Sequence, residues 1–326
     1  MECIYPEDVR ELKSFIRERR DLGNRPIYIF PCGGDEKEHV SRKHLRGYLK
    51  RAKSPSLHNV ICLTAEDVAT RNELADLSLV QQEAILADIC DWILIFAESV
   101  GSICELGIFS SLPHALRVTS VVIDERYKDE KSFMADGPVR EIEKSGKLLN
   151  QVFYANFDCV FSNPKLEAFI NDLRDHIKND GGERRKYNDD VSNLNVGSLV
   201  HELMDLLQIV GPITSADLLN LYCELKGFTA KSKMRISSPT LQADMKSTVS
   251  ISFEQVISIM DAVGIIRQQK RARDRARDKL YLTPAVHLES YFMFKSTDSR
   301  EFARIRSRIL LRKRRKGIWG GKNVYC

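Results

Sequence analysis

The 326-residue sequence contains no run of about eighteen apolar residues, the length a helix needs to cross a bilayer, so no membrane span is expected. Its first residues, Met-Glu-Cys-Ile-Tyr-Pro-Glu-Asp, have neither the basic nor the apolar stretch of a secretory signal, which makes a cytoplasmic protein the expectation. The 8 cysteines, at positions 3, 32, 62, 90, 104, 159, 223 and 326, form no C-x-x-C pair. Several fall in apolar segments, so they are expected as reduced core residues and not as disulfides or zinc ligands. Histidines 39, 44, 58, 114, 176, 201 and 287 lack ligand spacing, and the sequence asks for no metal. A G-x-G-x-x-G fingerprint is also missing, so the usual dinucleotide-binding turn is not supported.

Charge is present but unevenly divided. Residues 1–180 hold 24 Lys/Arg against 30 Asp/Glu, and residues 181–326 hold 26 against 15, which together leave a net +5. The first part is acidic and the second is basic enough to meet a polyanion.

The chain is organised around residues 90–109. Trp92 to Ala97 is a short apolar run, the pattern of a strand buried on both faces. Glu98-Ser99-Val100-Gly101-Ser102 then turns the chain, and from Ser102 the apolar residues Ile103, Leu106 and Phe109 recur at helical spacing until Pro113. A strand running into a helix through such a turn places the turn at the carboxyl edge of a parallel sheet, where open α/β folds bind ligands. Glu98 and Glu105 flank it. Glu105 is expected in the first helical turn, and a buried carboxylate there needs a partner or a task.

Before this stretch, residues 6–20 read as an amphipathic helix. Ile27–Phe30 reads as a strand ending in Cys32-Gly33-Gly34-Asp35, whose glycines permit close backbone approach to a ligand. A basic helix follows over His44–Lys53, then a strand near Asn59–Leu63 that delivers Glu66 and Asp67 to the same edge, then a helix over Leu77–Ile89 carrying Glu83. After it come a strand at Val118–Ile123, a break at Gly137-Pro138, a strand at Gln151–Tyr154 and a closing helix at Pro164–Lys178. The alternation predicts an α/β domain over residues 1–180, with a parallel Rossmann-like sheet between helices.

Residues 181–196 are polar and read as a linker. Residues 197–296 offer helices at Leu199–Ile209, from Thr214, and at Phe253–Val263, then a hairpin of Ile265–Arg267 with Leu280–Leu282. That is the pattern of a winged helix-turn-helix domain with its third helix available for a groove. Lys270, Arg271, Arg273, Arg275, Arg277 and Lys279 crowd the hairpin. The tail, residues 297–326, forms a basic helix with Arg312, Arg314 and Arg315 near its end. Both basic runs are expected to neutralise nucleic-acid phosphates.

Cleaving an N-glycosidic bond passes through an oxocarbenium-like state and needs a carboxylate close to the anomeric carbon. Glu105 is placed for that task. Glu83 and Glu98 are candidates for proton handling or hydroxyl binding, and both read equally well as structural or solvated residues. Ser99, Gly101 and Ser102 can offer donors to ribose or phosphate.

Gly101-x-x-x-Glu105-Leu-Gly107 after an apolar strand resembles the nucleophile segment of nucleoside 2-deoxyribosyltransferases. The resemblance equates Glu105 with the catalytic glutamate and Glu83 with an acidic residue on the preceding helix. It departs at Ser99, where that family usually carries a sugar-contacting aspartate, and Glu98 stands one residue earlier. Phe30-x-Cys-Gly-Gly-Asp35, Glu66-Asp67, Phe96-x-Glu-Ser-x-Gly-Ser-x-x-Glu-Leu-Gly107 and Ser132-Phe-x-x-x-Gly-Pro-Val-Arg140 resemble the effectors of type II retron antiphage systems. Those effectors join a deoxyribosyltransferase-like domain to a C-terminal winged helix.

This resemblance implies a toxic effector held with a reverse transcriptase and its branched RNA–DNA hybrid, the msDNA, in a higher-order assembly. It further implies hydrolysis of the nicotinamide–ribose bond of NAD, or of a related nucleotide, as substrate and without a cofactor. The carboxylates of Glu105, Glu83 and Glu98 would act on a nucleotide ringed by Cys32–Asp35, Glu66, Asp67, Ser99, Gly101 and Ser102. The rival expectations are a non-catalytic, nucleotide-sensing regulator that binds nucleic acid, and a nucleoside 2-deoxyribosyltransferase of nucleotide salvage.

Overall fold

A computed structural model describes residues 4–17, 27–51, 60–145, 151–157, 168, 171, 194–228, 234–240, 250–270, 280–285 and 299–316. Strands β1 (Ile27–Cys32), β2 (Val60–Cys62), β3 (Trp92–Phe96), β4 (Thr119–Asp124) and β5 (Val152–Ala155) form one parallel sheet. Their order is β2-β1-β3-β4-β5. Successive side chains alternate between the faces. Tyr28, Phe30, Ile93, Ile95, Val121 and Ile123 join one buried cluster, while Ile27, Ile29, Trp92, Leu94 and Phe96 join another. Both faces are covered, which is why the strands read as unbroken apolar runs.

Helix α1 (Pro6–Arg17) precedes the sheet. Helix α2 (Ser41–Arg51) covers one face with Leu45 and Leu49. A short α3 (Ala65–Ala69) leads to α4 (Leu79–Ile89), and α5 (Val100–Ser111) and α6 (Pro113–Leu116) follow β3. Helices α4 and α5 cover the other face with Ile85, Leu86, Leu106 and Phe109.

Three local expectations are corrected. Helix α5 begins at Val100, two residues earlier than its spacing suggests, so Glu105 lies in the second turn. Ile103 is 42 % exposed and does not join the apolar stripe of Leu106 and Phe109. Gly137 and Pro138 do not break the chain but sit in a wide π turn, Ala135–Val139, that runs into α7 (Arg140–Ser145). A wider turn accommodates a proline that has no N–H to give. Of the expected helix at residues 164–178 only 168 and 171 are described, both helical, and residues 181–193 of the expected linker lie outside the described residues.

In the second half, β6 (Leu194–Asn195) pairs with β8 (Ile236–Ser237), and α8 (Val196–Val210) leads through β7 (Ile213–Thr214) to α9 (Ser215–Lys226). Then come α10 (Phe253–Ala262), β9 (Ile266–Lys270), β10 (Leu280–Pro284) and α11 (Ser299–Arg315). β7, β10 and β9 form a small antiparallel sheet in that order. Every residue of α8 except Asp205 is buried, and one apolar cluster runs from the large sheet through α4 into α8, α9 and α10.

The third helix, α10, is not available for a groove. Val256, Ile257, Ser258, Ile259 and Met260 are buried, and its sequence carries no Lys or Arg. Three of its polar side chains meet the first half: Ser258 Oγ donates to Glu73 Oε2 (3.1 Å), Gln255 Nε2 to the Glu73 carbonyl (3.3 Å), and Asp261 pairs with Arg71 (3.0 Å). No helix among the described residues is long and apolar enough to cross a membrane.

Candidate active site at the carboxyl edge of β1 and β3

The strand order changes direction between β1 and β3, so the loops leaving these strands diverge and open a crevice beyond their carboxyl ends. Cys32 closes β1 beside Ile95 of β3, and the two loops that follow are tied together by Glu98. Its Oε1 accepts the Gly34 N–H (3.2 Å) and its Oε2 accepts the Ser41 hydroxyl at the start of α2 (2.6 Å). A Cβ on Gly33 would lie 2.8 Å from Glu98 Oε1, and one on Gly34 would overlap the His39 ring. Only glycine lets the first loop press against this carboxylate. Glu98 is therefore a brace between loops, with both oxygens occupied by protein donors.

Ser99 and Ser102 are also spent locally. Ser99 is the N-cap of α5, accepting the Ser102 N–H (3.1 Å), while Ser102 Oγ accepts the Glu98 and Ser99 N–H groups (3.2 and 3.0 Å). This reciprocal box satisfies amides that an exposed helix start would leave bare. Gly101 sits exposed on the first turn.

The two helices that flank the crevice bring Glu83 and Glu105 together. Glu83 projects half-buried from α4, and burial, then the charges of Glu105 and Glu66, push its pKa up to about 7. Glu105 is half-buried too, and its Oε2 is enclosed with no hydrogen-bond partner. Burial pushes Glu105 up, while the Arg42 charge and a hydrogen bond with Cys32 pull it back. The Cys32 thiol is pushed well up by burial and by the Glu105 and Glu83 charges, so it stays protonated. A carboxylate oxygen enclosed without a donor is expensive unless a ligand meets it. Two carboxyl groups with unlike surroundings can divide nucleophilic and proton-transfer work.

Sequence reasoning missed Arg42. Its side chain is buried in the first turn of α2, ion-paired with Glu66 and donating through Nη2 to the Gly34 carbonyl (2.9 Å). A cation in a helix's first turn opposes the backbone dipole, and that local cost was the one signal of a task. Glu66 thus reaches the site as Arg42's partner. Asp35 and Asp67 are exposed, Asp35 in the turn after β1, where it accepts the Lys37 N–H (2.9 Å), and Asp67 in the first turn of α3, where it accepts the Thr64 hydroxyl (2.6 Å).

Among the basic residues, Arg312 is engaged within the molecule. It pairs with Asp8 and Glu7 of α1 and stacks 4.2 Å from the Tyr5 ring centroid. Arg314 and Arg315 are exposed at the end of α11, and Lys270 closes β9. Arg271, Arg273, Arg275, Arg277 and Lys279 lie outside the described residues.

Comparison with known proteins places this chain in a family. The "Retron Ec86 putative ribosyltransferase/DNA-binding protein" of Escherichia coli is 36 % identical over 122 residues, which cover 37 % of this chain and 39 % of that protein. The protein of the same description from Escherichia coli retron Ec73 is 24 % identical over 217 residues, 63 % of this chain and 68 % of that one. The alignment thus spans about two fifths of the first relative's length and about two thirds of the second's. The family model described as STM3845 retron effector protein matches residues 38–268, which include Arg42, Glu66, Glu83, Glu98 and Glu105. The chain belongs to this family of retron effectors.

Proposed function

We propose that this effector is an N-glycosidase that hydrolyses the nicotinamide–ribose bond of NAD or the glycosidic bond of a related nucleotide. The observation that carries the reading is the enclosed, unpartnered Oε2 of Glu105 beside a Glu83 pushed to about 7, at the crevice between β1 and β3. The ribosyltransferase named in both relatives supports chemistry at a ribose C1′. Glu105 attacks or electrostatically supports C1′ as the C1′–N bond breaks, and the bonding pair leaves with nicotinamide as a neutral molecule. Glu83, as carboxylate, then takes a proton from the water that attacks C1′ and frees Glu105. Glu98 and the Cys32–Gly34 turn hold the crevice open and in register.

The second half supports a nucleic-acid role. Its order of helix, strand, helix, helix and hairpin, with a β7-β10-β9 sheet, is compatible with a winged helix, and both relatives are named DNA-binding. With α10 buried, we assign nucleic-acid binding to the basic run between β9 and β10 and to the exposed end of α11, with the retron's msDNA and reverse transcriptase as partners. Free-base release by the purified protein tests the enzymatic reading. Incubation with NAD, ATP, GTP and deoxynucleosides should liberate base from at least one, with the retron's reverse transcriptase and msDNA added in a parallel series. Nucleotide binding without release in either series would instead make the first half a sensor.

A further inference from the structure

Helix α4 carries two charged residues, Glu83 at the crevice and Asp88 five positions on, and Gln82, Ala84–Ala87 and Ile89 around them are buried. A helix enclosed by apolar neighbours has little amphipathy to fix its rotation, so its register is set by polar contacts. Those contacts lead to the second half at both ends of α4. At the start, Gln82 Nε2 donates to the Leu77 and Leu74 carbonyls (3.0 and 3.3 Å), which ties the helix to the turn Asn72–Leu74 before it. That turn is itself held by α10, through Ser258 and Gln255 on Glu73 and through Asp261 on Arg71. The other oxygen of Asp261 accepts the Gln268 N–H of β9 (3.1 Å), so the grip is anchored in the small sheet. At the far end, Asp88 accepts from Ser238 and Thr240, and Gly197 of α8 lies against its carbonyl.

We infer that the second half is part of the active-site scaffold: by gripping α4 at both ends it sets the rotation and height at which Glu83 stands toward Glu105. Five helical residues span about 7.5 Å, so the hold on Asp88 and the hold on the start of α4 bracket Glu83 within about a turn on either side. Apolar contacts alone would let the helix turn or slide by a fraction of a residue, which hydrogen bonds to fixed carbonyls resist. Such a fraction matters, because a displacement of about 1 Å at a reacting group costs about 100-fold in rate. Ser258, Gln255 and Glu73 are thus positioning residues that act through α4. The consequence for the rate rests on the glycosidase reading, but the placement of Glu83 does not.

The test removes the grip from the α10 side. Protein carrying both Gln255→Ala and Ser258→Ala is compared with wild type for base release. The Glu83 carboxyl is titrated in both by carbon-13 NMR of protein labelled in its glutamate side chains, its signal identified by loss in Glu83→Gln. The double variant should lower kcat about tenfold or more with KM within about twofold. Its Glu83 midpoint should fall from about 7 by about half a pH unit or more, as the carboxyl leaves its enclosed position. Ser258→Thr, which keeps the hydroxyl, should match wild type in both readouts. Glu73 is exposed, so Glu73→Ala removes the Ser258 contact without leaving a buried charge and decides the question if the double variant does not fold. A Glu83 midpoint unmoved in both variants overturns the inference, whatever the rate does. If the wild type releases no base, the glycosidase reading fails, while the midpoint still decides whether α10 positions Glu83.

Discussion

Glu83 holds a proton about half the time near neutral pH, and where that proton goes depends on the leaving group. Nicotinamide departs from NAD as a neutral molecule and needs no proton, so Glu83 must be ionised to activate water. The rate should then rise as pH passes through about 7, and Glu83→Gln should lower kcat by about 100-fold and abolish that limb. A base that departs as an anion needs a proton instead, and the rate would fall over the same range. The pH–rate profile therefore reports the substrate class as well as the residue. The position of Glu105 was legible in the sequence because an apolar strand, a turn and a helix place it without long-range information, whereas Glu83 read equally well as a solvated helix residue and was singled out by the resemblance to deoxyribosyltransferases. The task of Glu98 was not legible, because its partner Gly34 lies 64 residues away, and a carboxylate accepting two donors looks in sequence like any other.

Helix α4 has two ends with different duties. Glu83 faces the crevice, and Asp88, one and a half turns later, accepts from Ser238 Oγ and from Thr240 N and Oγ1 in the second half. Gly197, in the first turn of α8, packs so close that a Cβ would overlap the Asp88 carbonyl. Burial pushes Asp88 up to about 6 against the pull of those donors. The folded protein thus keeps a proton there that the unfolded chain releases near pH ~4, so this group's stabilisation is present at low pH and lost as pH rises from about 4 to 6. The loss is at most about 3 kcal/mol. Urea unfolding should show Asp88→Asn to lack this decline between pH 4 and 7, and Asp88→Ala to be less stable throughout by about 1–3 kcal/mol. An unchanged pH slope in Asp88→Asn would remove Asp88 from the account. Strands were readable from apolar runs because both sheet faces are covered. The start of α5 was not, because Ser99 and Ser102 look like turn residues until their hydrogen bonds make them a cap. The burial of α10 was hidden for another reason: Glu73 and Arg71 meet it from far back in the chain.

At the scale of the whole molecule, the two halves are joined at both ends of the chain. Arg304, Arg308 and Arg312 on α11 pair with Glu7, Asp8 and Glu11 on α1, and Asp8 is fully buried beneath them. Asp8→Ala leaves Arg308 and Arg312 without that carboxylate and should cost about 3 kcal/mol in urea unfolding, where an unchanged midpoint would show the pair to be incidental. Arg314 and Arg315 are exposed at the end of α11. Replacing Arg271, Arg273, Arg275 and Arg277 with Gln should weaken msDNA binding and reduce its salt slope by about 0.9 for each phosphate no longer neutralised. Equal slopes would leave those arginines solvated. The central claim is that Glu105 carries cleavage of a nucleotide's glycosidic bond. Its most direct test is mass spectrometry of nucleotide pools in phage-infected cells carrying the retron with wild-type protein or with Glu105→Gln. The account predicts depletion of NAD or a related nucleotide, with its free base accumulating, in the wild type and not in the variant. Depletion that persists in a folded Glu105→Gln protein, or pools identical in both strains, would contradict it.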